Sequence, residues 1–395
     1  MISVRENPRL GFYKVSEQKH YSKLQALTAA TNLNQFPEWH FNRNVFDTFN
    51  WQAEPESNLR QLYHIRAKQL REKYDYIRLE FSGGGDSATT LYSFVNNGLF
   101  IDEVVLRYPK EGSYNCTDDP LNYKAENALS ELKYAAGPIL EWLRFASPNT
   151  KITVHDYSED TLATKLDESW IYQTQEYFEP SWIYKHRVDA TDDHKRHLDR
   201  GQRVCMLWGI DKPKVCVQDK KWYLYFMDKQ ANIVTETKSD YTNVEHEYFF
   251  WSPDLPELLS KQAHVIKNWF SLPSNKYLQH LVRWPNHSFN QRTTFEHIVK
   301  PLIYEDYDPA TFQVSKPTNN FYNEMDYWFY QNCQDTYTHR VWQAGLDEIV
   351  KLVDQKYFNY ELGRPVGFVA FLSPFYYLGE ADYQHGSIHT YQKAW

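Results

Sequence analysis

The chain has 395 residues, 43 Lys and Arg against 51 Asp and Glu, a net charge of −8, and 42% hydrophobic and 17% aromatic residues. This is the composition of a folded globular protein with a large core, and it excludes disordered and fibrous classes. The acidic balance argues against coating a nucleic-acid backbone as the main task, though it leaves a local nucleic-acid contact open.

Mean hydropathy is −0.70, and no uncharged apolar run approaches the roughly 18 residues of a membrane span, so no membrane partner is expected. Charges throughout the first fourteen residues leave no apolar signal region there. Cys116, Cys205, Cys216 and Cys333 form no CxxC pair, which argues against a disulfide framework, structural zinc or an iron–sulfur cluster. A cytoplasmic location with reduced thiols is the expectation.

At roughly 150 residues per domain the length predicts two or three units, read here as 1–58, 59–271 and 272–395. Residues 1–58 read as an irregular extension around a helix near 16–31. From Leu59 a helical spacing of apolar residues leads to a strand ending at Phe81, then Ser82-Gly-Gly-Gly-Asp-Ser87, then a helix closed near Gly98. Ile101–Tyr108 and Lys151–Asp156 read as further strands. Residues 121–145 read as a helical pair interrupted at Gly137-Pro138. Helical stretches near 159–174 and 190–200 precede a fourth strand, Val204–Trp208. Strands alternating with helices predict an α/β fold with a parallel sheet covered on both faces. Residues 214–218 and 222–227 read as an inserted β-hairpin, and Asp254 with Glu257 as a capping box opening a helix. Beyond residue 271 the expectation is a mostly helical, aromatic-rich, loop-rich region.

Three glycines between a strand and a helix let backbone approach an anion closely, and the helix start adds unpaired N–H donors and positive dipole. Ser82 and Ser87 add hydroxyls. Asp86 suits a helix N-cap or, through water, a magnesium ion on the phosphates. The plainer alternative is a tight turn. The loop lacks the lysine of GxxxxGK[ST] and the spacing of GxGxxG, so P-loop kinase and dehydrogenase readings fall.

The segment Ser82, Gly83, Gly84, Asp86, Ser87, with Gly85 at a variable position, resembles the Ser-Gly-Gly-x-Asp-Ser signature of the PP-loop ATP pyrophosphatase and PAPS reductase superfamily. The chain is also similar in style to long aromatic members carried by tailed bacteriophages. The resemblance covers residues 60–270 at fold level and implies a Rossmann-like sheet whose loop Ser82–Ser87 grips the phosphates of an adenine nucleotide. It further implies ATP and Mg²⁺ as cofactors, Asp86 as the metal-facing carboxylate, Arg107 near the adenine or ribose, and Lys212 as a basic residue on the phosphates.

The implied reaction is cleavage of ATP to AMP and pyrophosphate, adenylating an acceptor of unknown identity before attack by a nitrogen nucleophile. The Glu-Cys-Gly motif of the reductase branch has no counterpart here, so a sulfonucleotide binder with altered chemistry stands second. A non-catalytic interaction protein using the aromatic C-terminal region stands third, and a second copy of the chain remains open as a partner. His194 with His197 as metal ligands, the basic set Lys195, Arg196, Arg200 and Arg203, and His264 as an acid or base are weaker candidates. Each has an ordinary structural alternative.

Overall fold

The computed structural model describes residues 6–108, 135–156, 168–172, 178, 192–231, 242–285, 289–308, 333–361 and 363–382. The N-terminal residues are more regular than expected. Strands β1 (Phe12–Val15), β2 (Gln18–His20) and β3 (Glu38–His40) form an antiparallel sheet in the order β2-β1-β3. The helix expected from residue 16 begins only at Lys23 (α1, Lys23–Leu33), because Ser16 takes a left-handed conformation and turns the chain back into β2.

Helix α2 (Leu59–Lys73) is opened by a reciprocal cap: Gln61 N–H donates to Asn58 Oδ1 at 2.9 Å, and Asn58 N–H to Gln61 Oε1 at 3.0 Å. It leads into β4 (Tyr76–Phe81), whose six residues are all buried, as a parallel strand covered on both faces requires. Helix α3 (Gly85–Val95), β5 (Glu103–Tyr108), α4 (Gly137–Ala146), β6 (Lys151–Asp156), α5 (Asp192–Asp199) and β7 (Val204–Trp208) follow. Pro138 stands in the first turn of α4, directly after the helical residues Ala135 and Ala136. Residues 121–134 and 159–167 lie outside the described residues.

Strands β8 (Lys214–Gln218) and β9 (Lys221–Tyr225) form the expected hairpin. Asp219 and Lys220 both have positive φ, the two-residue geometry that matches strand twist. After β10 (Val244–Tyr248), helix α6 spans Pro256–Ser271. It carries no capping box: Leu255 is the N-cap, Pro256 sets the first turn, and the Asp254 carboxylate is engaged instead by Arg9 at 2.7 Å. The C-terminal part contributes helices α7 (Phe289–Ile303) and α8 (Tyr337–Leu352), and adds strands β11 (Phe358–Glu361), β12 (Arg364–Phe368) and β13 (Tyr376–Glu380). Strand β13 pairs with β9, so the C-terminal residues close the sheet that the hairpin starts.

The central sheet is parallel and Rossmann-like, in the order β10-β7-β4-β5-β6. The chain runs outward from β4 through β5 to β6, then crosses back to place β7 on the other side of β4. The strand order therefore reverses between β4 and β7, the position at which open α/β sheets leave a crevice beyond their carboxyl ends.

One continuous cluster of buried residues runs from Leu10 to Ala381. Much of the aromatic content is spent there: Phe226 alone stacks on or abuts Phe41, Phe46, Trp51, Trp251 and Tyr376. Among the described residues no helix is long and apolar enough to cross a membrane.

Glu247 on β10 ties the N-terminal residues to this body. Its carboxylate lies 3.0 Å from Arg9, 3.0 Å from Arg66 and 2.7 Å from Lys73, and accepts from Tyr74 Oη at 2.7 Å. Burial alone would raise its pKa, but the charges of Arg66, Arg9 and Lys73 outweigh that and hold it at about 2. A depressed carboxyl contributes stability that is complete above its unfolded pKa near 4.5 and fades as pH falls through about 2. Acid titration of the folded fraction should lose roughly 3 kcal/mol across that window, and Glu247→Gln should flatten this part of the curve while lowering stability at neutral pH.

Candidate functional site

The loop Ser82–Ser87 lies at the carboxyl end of β4 and opens α3. The helix starts two residues earlier than a cap at Asp86 would require. Gly84 is the N-cap, and Asp86 sits in the first turn. The N–H groups of Gly85, Asp86 and Ser87 therefore belong to the turn that has no intrahelical acceptors.

The loop is closed on itself by its hydroxyls. Gly84 N–H donates to Ser82 Oγ at 3.3 Å, Ser82 N–H to Ser87 Oγ at 3.2 Å, and Ser87 Oγ–H to Gly84 O at 3.1 Å. Two glycines are dictated by sterics. Gly83 has φ +81°, and a Cβ there would stand 2.7 Å from the Ala136 Cβ; a Cβ on Gly209 would stand 2.9 Å from Ser87 Cα and N. The second contact shows how closely the segment leaving β7 crosses the start of α3.

That segment carries Lys212 to the loop. Its ammonium is buried, with Nζ 3.2 Å from Asp211 Oδ1, 3.7 Å from Glu296 Oε1 and 3.9 Å from Asp86 Oδ2. Burial would strip its proton, but the carboxylates of Asp211, Asp86 and Glu296 reverse this and hold its pKa above the ordinary lysine range. Asp211 is held below the usual carboxylate range. Burial opposes that shift, and the charges of Lys212 and of Lys214, 2.7 Å from Asp211 Oδ2, overcome it. Glu296 is likewise lowered against its burial by Lys212, Lys214 and Lys300.

From the end of α7, Tyr304 donates a short hydrogen bond to Asp86 Oδ1. Its phenol is pushed well up, first by burial and then by the Asp86 charge. Tyr307 lies against Gly85, and burial followed by Asp86 and Glu296 pushes its hydroxyl up to about 12.

Of the residues expected from sequence, Ser82–Ser87 and Lys212 come together at the switch point. Arg107, at the carboxyl end of the neighbouring strand β5, has partners of its own. Its guanidinium is engaged by Glu80 Oε2 at 3.0 Å, in a buried chain that continues from Glu80 to Arg78 at 2.8 Å. Arg203 stands immediately before β7, at the opposite edge of the sheet from the loop. The side chains of Lys195, Arg196 and Arg200, on or just after α5, are solvent-exposed. His197 bonds Gln202 at 2.7 Å, while the His194 side chain lies outside the described residues. His264 is a core histidine, its Nε2 2.9 Å from the Trp51 carbonyl.

Asp211, Glu296, Tyr304 and Tyr307 escaped the sequence reading. Asp211 was adjacent to Lys212 and legible as its partner, whereas the other three come from the C-terminal part and had no local signature.

The chain matches no family model and no curated protein. Gly209 thus makes a test of the site that is independent of any relative. Gly209→Ala should cost about 1–3 kcal/mol in urea unfolding, because the added methyl meets backbone that must move rather than a flexible side chain.

Proposed function

We propose that this protein is a PP-loop-type ATP pyrophosphatase that cleaves ATP to AMP and pyrophosphate and adenylates an acceptor before attack by a nitrogen nucleophile. The observation that carries the reading is the meeting of a Ser-Gly-Gly-Gly-Asp-Ser helix start with a buried, charged lysine at the switch point of a parallel sheet. Fixed N–H donors and a fixed ammonium are what a transferring phosphoryl group needs, since neither reorganises as negative charge develops.

In the first step an acceptor oxygen attacks the α-phosphorus of ATP. A P–O bond forms, the bond to the bridging oxygen breaks, and its electron pair leaves with pyrophosphate. In the second step the nitrogen attacks the acceptor carbon, and AMP departs with the C–O electron pair while the nitrogen's proton passes to water. The first-turn N–H groups of α3 bind phosphate oxygens and fix the line of attack, and Lys212 offers its charge to the leaving oxygens.

Among the described residues no three His, Cys, Asp or Glu side chains gather as a metal cage. Mg²⁺ at nucleotide sites needs none, taking one or two carboxylates and the substrate's own phosphate oxygens. Asp86, a hard oxygen ligand with its side chain 24% exposed, fits that role; the ion it would hold supplies neutralisation of phosphate charge.

The sulfonucleotide alternative has less support. Cys205, Cys216 and Cys333 are buried free thiols whose pKa values burial pushes up, that of Cys216 to about 12, the reverse of what a nucleophilic thiolate requires. Cys116 lies outside the described residues. The interaction-protein alternative gains no support from Trp342, Tyr357, Phe358, Phe368 and Tyr376, which among the described residues belong to the core.

Thermal unfolding with Mg²⁺ and ATP, PAPS, AMP or GTP tests the reading. ATP at 100 times its Kd should add about 2.7 kcal/mol, a rise of several degrees at roughly 2–4 °C per kcal/mol. Asp86→Ala should abolish the rise, and pyrophosphate should accumulate once an acceptor is supplied. A rise with PAPS alone would replace ATP by the sulfonucleotide, and no rise with any nucleotide would overturn the proposal.

A further inference from the structure

Residues Tyr304–Asp308, directly after α7, lie across the loop and along α3. At one end the rings of Tyr307 and Tyr304 cover Gly85, where a Cβ would come within 3.0 Å and 3.4 Å of them, and the Tyr304 hydroxyl occupies Asp86 Oδ1. At the other end two polar contacts pin the segment. Arg60 Nε meets Glu305 Oε2 at 2.9 Å, and Asn96 Nδ2 donates to Asp306 Oδ2 at 3.2 Å.

Between these ends a cavity of about 280 Å³, lined by Arg60, Tyr63, Thr89, Tyr92, Glu305 and Asp306 among others, separates the segment from α2 and α3. The Tyr304 ring is buried against Phe250, whereas Glu305, Asp306 and Asp308 are exposed, and the first two are held by single polar contacts, so this acidic part of the segment is the part that opens at least cost.

We infer that Tyr304–Asp308 is a strap that closes over the loop, and that a nucleoside polyphosphate binds by lifting it. This rests on the nucleotide reading of the loop. A phosphate on the first turn of α3 needs the space beside Gly85 that the two rings fill, and a metal ion on Asp86 needs the oxygen that Tyr304 holds. The strap also carries Glu305, Asp306 and Asp308, so a polyphosphate favours the lifted state by charge as well as by space. That difference in interaction is what lets a ligand shift the equilibrium between closed and open forms. A closed form that dominates reduces apparent affinity by the fraction of molecules that are open, so weakening the strap's anchors should tighten binding.

The experiment is calorimetric titration of the full chain with Mg·ATP, comparing wild type, Tyr304→Phe and Arg60→Ala, together with hydrogen exchange at residues 304–308 with and without Mg·ATP. Arg60 is exposed and meets the strap through Glu305 and the charge of Asp306, so it reports on the strap even where Tyr304→Phe folds poorly. The expected result is an affinity gain of up to about fivefold for Arg60→Ala, the scale of a surface ion pair, and about tenfold for Tyr304→Phe. The amides of Tyr304 and Tyr307, which bond to Lys300 O and Tyr304 O, should exchange faster in the presence of Mg·ATP. Affinity unchanged or weakened in the variants, or slower exchange with ligand, overturns the strap and leaves the nucleotide site standing. Absence of binding in all three proteins overturns the nucleotide reading and the strap with it.

Discussion

A lysine ammonium taken out of water keeps its charge only if carboxylates replace the lost hydration, and Lys212 is satisfied by three of them. They come from three places in the chain: Asp211 beside it, Asp86 on the helix that the glycine loop opens, and Glu296 on α7. The charge requirement of one residue thus draws the end of β7, the start of α3 and the C-terminal part to a single point. Gly209 permits the approach sterically, since any side chain there would meet the Ser87 backbone. Removing any one carboxylate would leave the ammonium less compensated, so the arrangement is fixed collectively rather than pair by pair.

The α/β core was legible because its signals are local. A strand segment holding Tyr76, Ile77 and Phe81, a run of glycines, an amphipathic helix and a closing Gly98 each declare themselves within a few positions, and order along the chain then restricts the topology. What escaped depends on distant partners. β13 pairs with β9 across about 150 residues of sequence, and a strand of five residues carries too little pattern to announce such a match. The capping box at Asp254 failed for the same reason in reverse: a local bond to the helix start gave way to an ion pair with Arg9, 245 residues away.

The loop was read from residue types whose chemistry is recognisable in isolation, whereas Lys212 was expected only through the family resemblance. Arg107, at the carboxyl end of β5, forms a buried ion pair with Glu80 on the neighbouring strand, a partner that spacing along the chain does not reveal. Glu296, Tyr304 and Tyr307 have no chemistry that sequence spacing can reveal. A glutamate and two tyrosines in an aromatic, polar stretch become site residues only when α7 brings them over the loop.

The charge balance at the site also bears on what it can accept. Lys212, Lys214 and Lys300 face Asp86, Asp211 and Glu296, so the cluster is close to neutral by itself, and each lysine has a carboxylate partner. A bare polyphosphate entering this cluster would add several negative charges to a buried region without surplus cation, which low local dielectric makes costly. The same polyphosphate carrying a divalent cation adds far less net charge, and Asp86 changes from a repelling neighbour into a ligand. On the proposed nucleotide reading, the acidic residues around Lys212 would therefore disfavour free anions and favour metal-complexed ones. A site built to bind simple phosphate or sulfate would instead leave its lysine unpaired.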